Sequence, residues 1–277
     1  ARSRLGVRVV SIVGAVVRYG ATLCAAACVL GCATVAPDDS PAGQWTQVRP
    51  GLLYAKRSPL PDSVVHVVRA DLTVVRLTMS ASEERGRTVD AMTGSQGSAV
   101  SVNASFFDRS YQPRGITVTN GEDWLPVHAA QSSPVFACDR AQRCEIQLVP
   151  PTAPAPHWYN AVAGTPWLLD QGRQRTAKDD ASCKNLCETL HPRTAVGLDA
   201  SRRYLYIVTA EGRKPPVLGL SLVQLSGIMA NLGVVDALNL DGGGSSALFV
   251  QGASVMARPA NEPKQRRVAN AIHVLAP

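Results

Sequence analysis

The chain has 277 residues, 45% of them hydrophobic and 18% charged, which suits one large globular domain or two small ones and excludes wholesale disorder. Its formal charge of +7 overstates how basic the folded part is: Arg2, Arg4, Arg8 and Arg18 precede residue 32, every acid follows it, and removing those four charges leaves +3. No Lys/Arg-rich block with interleaved aromatics occurs, so nucleic acid is not an expected partner.

Residues 1–31 read as an export signal, with a basic start followed by apolar runs from Val9 to Val17 and from Ala21 to Leu30. The run ends Val29-Leu30-Gly31-Cys32, which resembles a bacterial lipobox with Cys32 as the lipidation site; a cleaved ordinary signal and an uncleaved anchor are the alternatives. Residues 32–47 form a polar tether rich in Pro and small residues, and 48–277 form the folded domain. The expected location is therefore the bacterial cell envelope, with a lipid anchor. Cys24 and Cys28 fall in the signal, leaving Cys138 with Cys144 and Cys183 with Cys187. In an oxidising compartment these local pairs read as two disulfide loops. Zinc is the alternative, although neither pair has C-x-x-C spacing.

Along the domain, Val64–Val68 and Leu72–Leu77 are β-branched runs around Ala70-Asp71 and read as a hairpin. Short strands follow at Val100–Val102, Ile116–Thr119 (closed by the turn pair Asn120-Gly121), Pro134–Ala137, Glu145–Val149 and Trp167–Asp170. More are expected at Ala195–Asp199, Tyr204–Thr209, Ala237–Leu240, Ala247–Val250 and Ala269–Leu275. One helix stands out, Leu220–Leu232, with apolar residues at helical spacing, a Ser221/Gln224 capping box and Gly233 as its stop. Thr88–Met92 is a shorter candidate, and the Pro-rich run 150–156 reads as a stiff connector between lobes. The fold class is α+β, mostly β-sheet with a few helices.

The densest chemistry lies in Leu240-Asp241-Gly242-Gly243-Gly244-Ser245-Ser246, where an apolar strand delivers an acid, three glycines and two hydroxyls. Such a run is either a Gly-rich turn or a cradle whose backbone approaches a small polar ligand closely. Other candidate segments are Asn103-Ala104-Ser105-Phe106-Phe107-Asp108 at a strand end, His191-Pro192-Arg193-Thr194-Ala195-Val196-Gly197 ahead of an apolar strand, and Arg267-Val268-Ala269-Asn270-Ala271 at the last strand.

Taken in order, Asn-x-x-Phe-Phe from Asn103, Gly164-Thr165-Pro166-Trp167-Leu168-Leu169, Pro192–Gly197, Glu211-Gly212-Arg213, Leu240–Ser246 and Arg266-x-Val268-x-Asn270-Ala271 resemble the phosphodiester glycosidase family over roughly residues 60–275. The chain departs from the family at Ala104-Ser105, where Gly-Gly is usual, and at Glu211, where Asp is usual. The resemblance implies hydrolysis of an N-acetylglucosamine-1-phosphodiester-like substrate at the anomeric carbon–oxygen bond, through an oxocarbenium-like transition state. It casts Asp241 as nucleophile or base, Arg193 as the grip on the leaving phosphate, and Glu211 as the second carboxylate, ahead of Asp199 and Asp108. Thr194, Gly242, Gly243, Gly244 and Ser245 would add hydrogen bonds, and Asn103 and Asn270 would hold sugar hydroxyls or an acetamido group. His191 is a lesser candidate acid. No cofactor or metal is expected, and the partner is a glycan or glycosyl phosphate. A noncatalytic, envelope-tethered glycan-binding protein is the alternative reading.

Overall fold

The computed structural model describes residues 45–124, 133–149, 154–181 and 183–277. The expected export segment, Cys24, Cys28, Cys32, most of the tether and residues 150–153 of the Pro-rich run lie outside the described residues. In chain order the strands and helices are β1 (Thr46–Arg49), β2 (Leu52–Arg57), β3 (Val65–Asp71), β4 (Arg76–Met79), α1 (Val89–Gln96), β5 (Val100–Asn103), β6 (Thr117–Thr119), β7 (Glu122–Asp123), β8 (Ser133–Cys138) and β9 (Cys144–Val149). There follow β10 (Asn160–Ala163), β11 (Trp167–Asp170), β12 (Arg173–Gln174), α2 (Ala177–Asp180), α3 (Lys184–Cys187), β13 (Arg193–Asp199), β14 (Tyr204–Ala210) and α4 (Leu222–Asn231). The chain ends with β15 (Val234–Asn239), β16 (Leu248–Val250), β17 (Ala253–Ser254) and β18 (Ala271–Leu275). This is the expected α+β, mostly β architecture.

The strands form an eight-stranded sheet in the order β1-β2-β3-β14-β13-β15-β11-β12 and two five-stranded sheets, β7-β6-β10-β8-β9 and β17-β16-β5-β18-β4. Antiparallel sheets usually leave one face in water, but the central strands of the large sheet are buried on both. Their alternate side chains feed two cores. Val68, Val196, Leu198, Leu205, Ile207 and Leu238 meet residues of the two smaller sheets, among them Val102, Phe136, Ile146 and Ile272. The intervening Val67, Ala195, Tyr206, Val208 and Ala237 meet Leu222, Leu225 and Met229 of α4. The near-continuous apolar runs of β3, β13 and β14 follow from this double burial.

Helix α4 starts as its sequence predicts: the Ser221 hydroxyl accepts from the Gln224 N–H at 3.2 Å, the Gln224 side chain accepts from the Ser221 N–H at 2.9 Å, and Gly233 turns with φ +83°. Both local cysteine pairs are disulfides, Cys138–Cys144 and Cys183–Cys187. Asp180 lies beside the second pair, but its sulfurs are spent on each other and offer no thiolate to a metal.

Two expectations need correction. Val65–Asp71 and Arg76–Met79 are not a hairpin: β3 pairs with β2 and β14, whereas β4 pairs with β18 in another sheet. The Asp71 carboxylate, which accepts from the Thr73 N–H and hydroxyl, turns the chain out of the large sheet instead of back along it. The Pro-rich run does not separate lobes either, because β9 before it and β10 after it share the partner β8.

Gly197 sits where β13 passes under α4; a Cβ there would lie 2.5 Å from Val234 Cγ1, 2.8 Å from the Asp236 carbonyl oxygen and 2.9 Å from Met229 Cε. Gly197→Ala is expected to cost about 1–3 kcal/mol of stability in urea unfolding, and a neutral effect would show this packing to be loose.

Candidate active site

Three neighbouring strands of the large sheet, β14-β13-β15, bring their chemistry to one end of that sheet. There β13 begins with Arg193-Thr194, β14 runs out into Glu211, and β15 runs out into Leu240-Asp241. Glu211 and Asp241 thus flank the start of β13 from opposite sides, two strand spacings or roughly 10 Å apart at the backbone. From the third sheet, β5 delivers Asn103, and Asn270 sits just before β18.

Asn103 is fully buried and bonds across the sheets: its Oδ1 accepts from the Thr194 hydroxyl at 2.9 Å and the Ala247 N–H at 3.1 Å, while its Nδ2 donates to the Asp241 carbonyl at 2.7 Å. Asn270, equally buried, accepts from the Ser105 N–H at 2.9 Å and donates to the Ser105 hydroxyl at 3.0 Å. Neither amide reaches out towards a sugar, as the sequence had led us to expect. Both hold the loops that present Asp241.

The glycine loop is similarly pinned. The Asp241 N–H donates to Ala104 O, Gly242 N–H to the Asp241 carboxylate at 3.0 Å, and Gly243 N–H to Pro192 O at 2.8 Å. Of the three glycine amides, only that of Gly244 has no acceptor among the described residues. Gly243 has φ +60°, and Gly244 faces Glu262 and Arg266 so closely that a Cβ would come within 2.3 Å of the Glu262 carboxylate. The backbone at Gly243 disfavours any side chain, and one at Gly244 would have to displace the flexible ends of Glu262 and Arg266. The buried hydroxyls of Ser245 and Ser246 complete no hydrogen bond among the described residues, and such groups in a native interior point to a ligand or water.

Burial pushes the Asp241 carboxyl up to about 6, with the nearby Ser245 hydroxyl, the Gly242 N–H and the charge of Arg266 opposing it. The Ser245 hydroxyl favours the anion but stands outside ordinary hydrogen-bond geometry. Two guanidinium groups border the loop. Arg213 lies against Gly243, bonds His191 Nδ1 at 3.2 Å and pairs with no carboxylate among the described residues. Arg266 pairs with Glu262 beside Gly244. As an arginine can only donate, His191 Nδ1 must accept, and burial with the charges of Arg193 and Arg213 holds the His191 pKa below the ordinary value.

The Arg193 side chain does not join this group. It is 2% exposed and spent on backbone carbonyls: Nε donates to Leu220 at 2.8 Å, and Nη2 donates to Leu186 at 2.7 Å and Thr189 at 2.8 Å. Successive strand residues point to opposite faces, so with Thr194 turned to Asn103, Arg193 must turn towards the α4 side. Its expected grip on phosphate is therefore corrected to a structural tie between β13 and the 183–191 segment. Asp199, at the far end of β13, caps a turn at Ser201, and the Asp108 carboxylate is engaged by the exposed turn at Ser110.

Glu211 is buried, and its Oε1 accepts twice, from His66 Nε2 at 2.8 Å and from the Ala257 N–H at 2.9 Å. Burial raises its pKa, but the His66 and Ala257 hydrogen bonds and the charges of His66 and Lys56 outweigh this and hold it below the ordinary carboxylate range. Sequence reasoning gave no site role to His66, Arg213, Arg266 or Ser246. The two arginines do stand inside quoted motifs, at the third position of Glu211-Gly212-Arg213 and the first of Arg266-x-Val268, whereas nothing in the sequence marks His66.

Because folding raises the Asp241 pKa from 3.8 to about 6, the native state holds that proton more tightly than the unfolded chain. Stability is then lost as pH rises through this window and stays lost above it. Asp241→Asn is expected to raise the Tm by several degrees above about pH 7, with the gain vanishing below about pH 4. An equal Tm at both pH values would show that the carboxylate bears no burial cost.

The phosphodiester glycosidase family model matches residues 96–275, well over half of the chain. The SPbeta prophage-derived uncharacterized protein YomE of Bacillus subtilis is 25% identical over 223 residues, 75% of this chain; the chain spans only 32% of that relative's length. Among solved structures, the fold is similar to the zebrafish N-acetylglucosamine-1-phosphodiester alpha-N-acetylglucosaminidase catalytic domain, described as auto-inhibited by its pro-peptide, with TM-score 0.66 and 17% identity over 86% of this chain and 85% of that one. It is also similar to a Synechocystis protein (TM-score 0.64, 16% identity, 86% and 64% covered) and to a Burkholderia pseudomallei protein described as exported (TM-score 0.58, 15% identity, 77% and 74% covered). At these identities the solved structures speak for the fold, and the family match speaks for the lineage: the chain belongs to the phosphodiester glycosidase family.

Proposed function

We propose that the protein hydrolyses a glycosyl phosphodiester at the anomeric carbon–oxygen bond, on a glycan or glycosyl phosphate outside the cytoplasm. The observation that carries this reading is Asp241, a carboxyl raised to about 6 at the end of β15, set beside Arg213, Arg266 and the unpartnered hydroxyls of Ser245 and Ser246. A phosphate monoester is already a weak base, so its departure needs positive charge more than a proton. Arg213, free of any described carboxylate, grips the phosphate oxygens, assisted by the Gly244 N–H and the two serine hydroxyls. A group with a pKa near 6 suits proton abstraction at mildly acidic to neutral pH. Asp241 accordingly takes a proton from water as the water attacks the anomeric carbon, and Glu211, ionised across β13, steadies the positive charge that develops on the sugar. Thr194 and Asn103 hold the Asp241 backbone in place and do not contact substrate.

The test is hydrolysis of an alkyl N-acetylglucosamine-α-1-phosphodiester in oxygen-18 water. Label is expected in the released sugar, with an acidic limb of kcat/KM near the Asp241 value of about 6, and Asp241→Asn is expected to lose activity by about two to four orders of magnitude. Arg213→Gln is expected to raise KM about tenfold or more while leaving the fold intact. Label in the phosphate would replace this mechanism with attack at phosphorus. Binding without turnover, across a panel of glycosyl phosphates, would favour the glycan-binding alternative.

We further propose that 1–31 is an export signal, that Cys32 is lipidated, and that 32–47 tethers the 48–277 domain at the envelope. The two disulfides support an oxidising location. Intact-mass analysis of membrane-extracted protein is expected to show a diacylglycerol adduct at the mature N-terminus that Cys32→Ser abolishes; an unmodified wild-type mass would refute the anchor.

A further inference from the structure

Beyond the Asp241 loop, the large sheet holds a second polar chain in its interior. Tyr54 OH lies 2.8 Å from His66 Nδ1, and His66 Nε2 lies 2.8 Å from Glu211 Oε1, with His66 fully buried. The register explains the alignment. Tyr54, His66, Thr209 and Thr194 come from the adjacent strands β2, β3, β14 and β13, with Thr209 paired to both His66 and Thr194, and Glu211 follows two residues after Thr209 on the same face. Because a carboxylate can only accept, Nε2–H of His66 donates to Glu211, and Nδ1 faces the Tyr54 hydroxyl. Tyr54 keeps its proton, since burial and then the Glu211 charge raise its pKa.

The far side of Glu211 meets the segment 257–267. The same Oε1 that accepts from His66 accepts from the Ala257 N–H, and Ala260 N–H donates to the Arg213 carbonyl at 3.1 Å. Further along, Glu262 and Arg266 lie against Gly244. This segment is a strap tied by two hydrogen bonds to Glu211-Gly212-Arg213, with its Glu262–Arg266 pair facing the glycine loop. The other Glu211 oxygen, Oε2, accepts no hydrogen bond from the described residues. Lys56 of β2 and His66 of β3 are the basic groups that act on the carboxylate.

Resting on the glycosidase reading above, we propose that His66, backed by Tyr54, is a positioning residue of the reaction: it fixes Glu211 as an anion whose Oε1 latches the strap over the glycine loop while Oε2 remains available to the developing positive charge. Without the Nε2–H donor, the buried carboxylate would lose its hydrogen-bonded countergroup and with it the hold on Ala257.

The experiment compares His66→Phe, His66→Gln and Tyr54→Phe in the full protein with three readouts. His66→Phe is expected to lower kcat on the glycosyl phosphodiester more than it changes KM, and to move the carbon-13 titration midpoint of the Glu211 carboxyl upwards. It should also speed trypsin cleavage at Lys264, Arg266 and Arg267 of the strap, with the rest of the chain cut at the wild-type rate. His66→Gln, whose amide nitrogen can stand near the Nε2 position, is expected to recover most of each effect, and Tyr54→Phe to give a smaller shift in the same direction. An unmoved Glu211 midpoint together with unchanged strap cleavage in folded His66→Phe would overturn the proposal, as would loss of kcat that His66→Gln fails to relieve. Should wild-type protein lack turnover on every glycosyl phosphodiester, the functional reading fails by itself. The titration and the strap cleavage then still decide whether His66 fixes Glu211.

Discussion

The site depends first on one buried amide. Asn103, at the end of β5, reaches from the third sheet into the first and engages the Thr194 hydroxyl, the Asp241 carbonyl and the Ala247 N–H together. These three groups belong to β13, to the exit of β15 and to the entrance of β16, so a single side chain sets where the glycine loop begins, where it ends and which strand it crosses. Buried hydrogen bonds add only modest net stability when made, but each group left unpaired costs about 1–3 kcal/mol. That asymmetry makes Asn103 a specifier of loop geometry. Asn270 does the same for Ala104-Ser105, whose backbone carbonyl at Ala104 accepts the Asp241 N–H.

Once the loop is fixed, the two carboxylates beside β13 acquire opposite characters from their surroundings. Asp241 is half-buried with one N–H donor on its carboxylate, and burial dominates, so its proton is held up to about 6. Glu211 is buried too, yet two donors on one oxygen, with His66 and Lys56 nearby, carry it the other way. Two acids whose environments separate their pKa values are what a division of labour in glycosyl transfer to water requires. The cations sit with Asp241: Arg213 and Arg266 border the glycines.

Much of this fold was legible because local and global signals agree. Helix α4 carries its start in Ser221 and Gln224 and its stop in Gly233, and the double burial of β13 and β14 shows as uninterrupted apolar runs. The β3–β4 turn was misread because a hairpin and a crossing between sheets share the same turn residues; only partners distant in the chain, β14 for one and β18 for the other, tell them apart. Arg193 was misread for a different reason. Adjacent residues of a strand face opposite ways, so Arg193 and Thr194 cannot both attend one ligand, and the hydroxyl of Thr194 is the one aimed at Asn103. Arg213 and Arg266 lie 53 residues apart in the chain and meet only through the glycine loop between them, a proximity that spacing does not express.

The chain's two departures from its family's pattern have physical counterparts here. Ser105 brings a hydroxyl into a crowded interior, and it is accommodated because Asn270 donates to that hydroxyl while accepting from the Ser105 N–H. Both ends of the substitution are satisfied by one side chain, so the loop gains a tie where a glycine would have left it freer. Glu211 extends one methylene beyond an aspartate, and in this chain that reach ends on a single oxygen shared by His66 and the Ala257 N–H. A shorter acid on the same backbone would have to give up one of these donors or draw the strap inwards, towards the glycine loop that its Glu262 and Arg266 already face. Side-chain length at 211 is therefore coupled to how far the strap stands above the glycine loop.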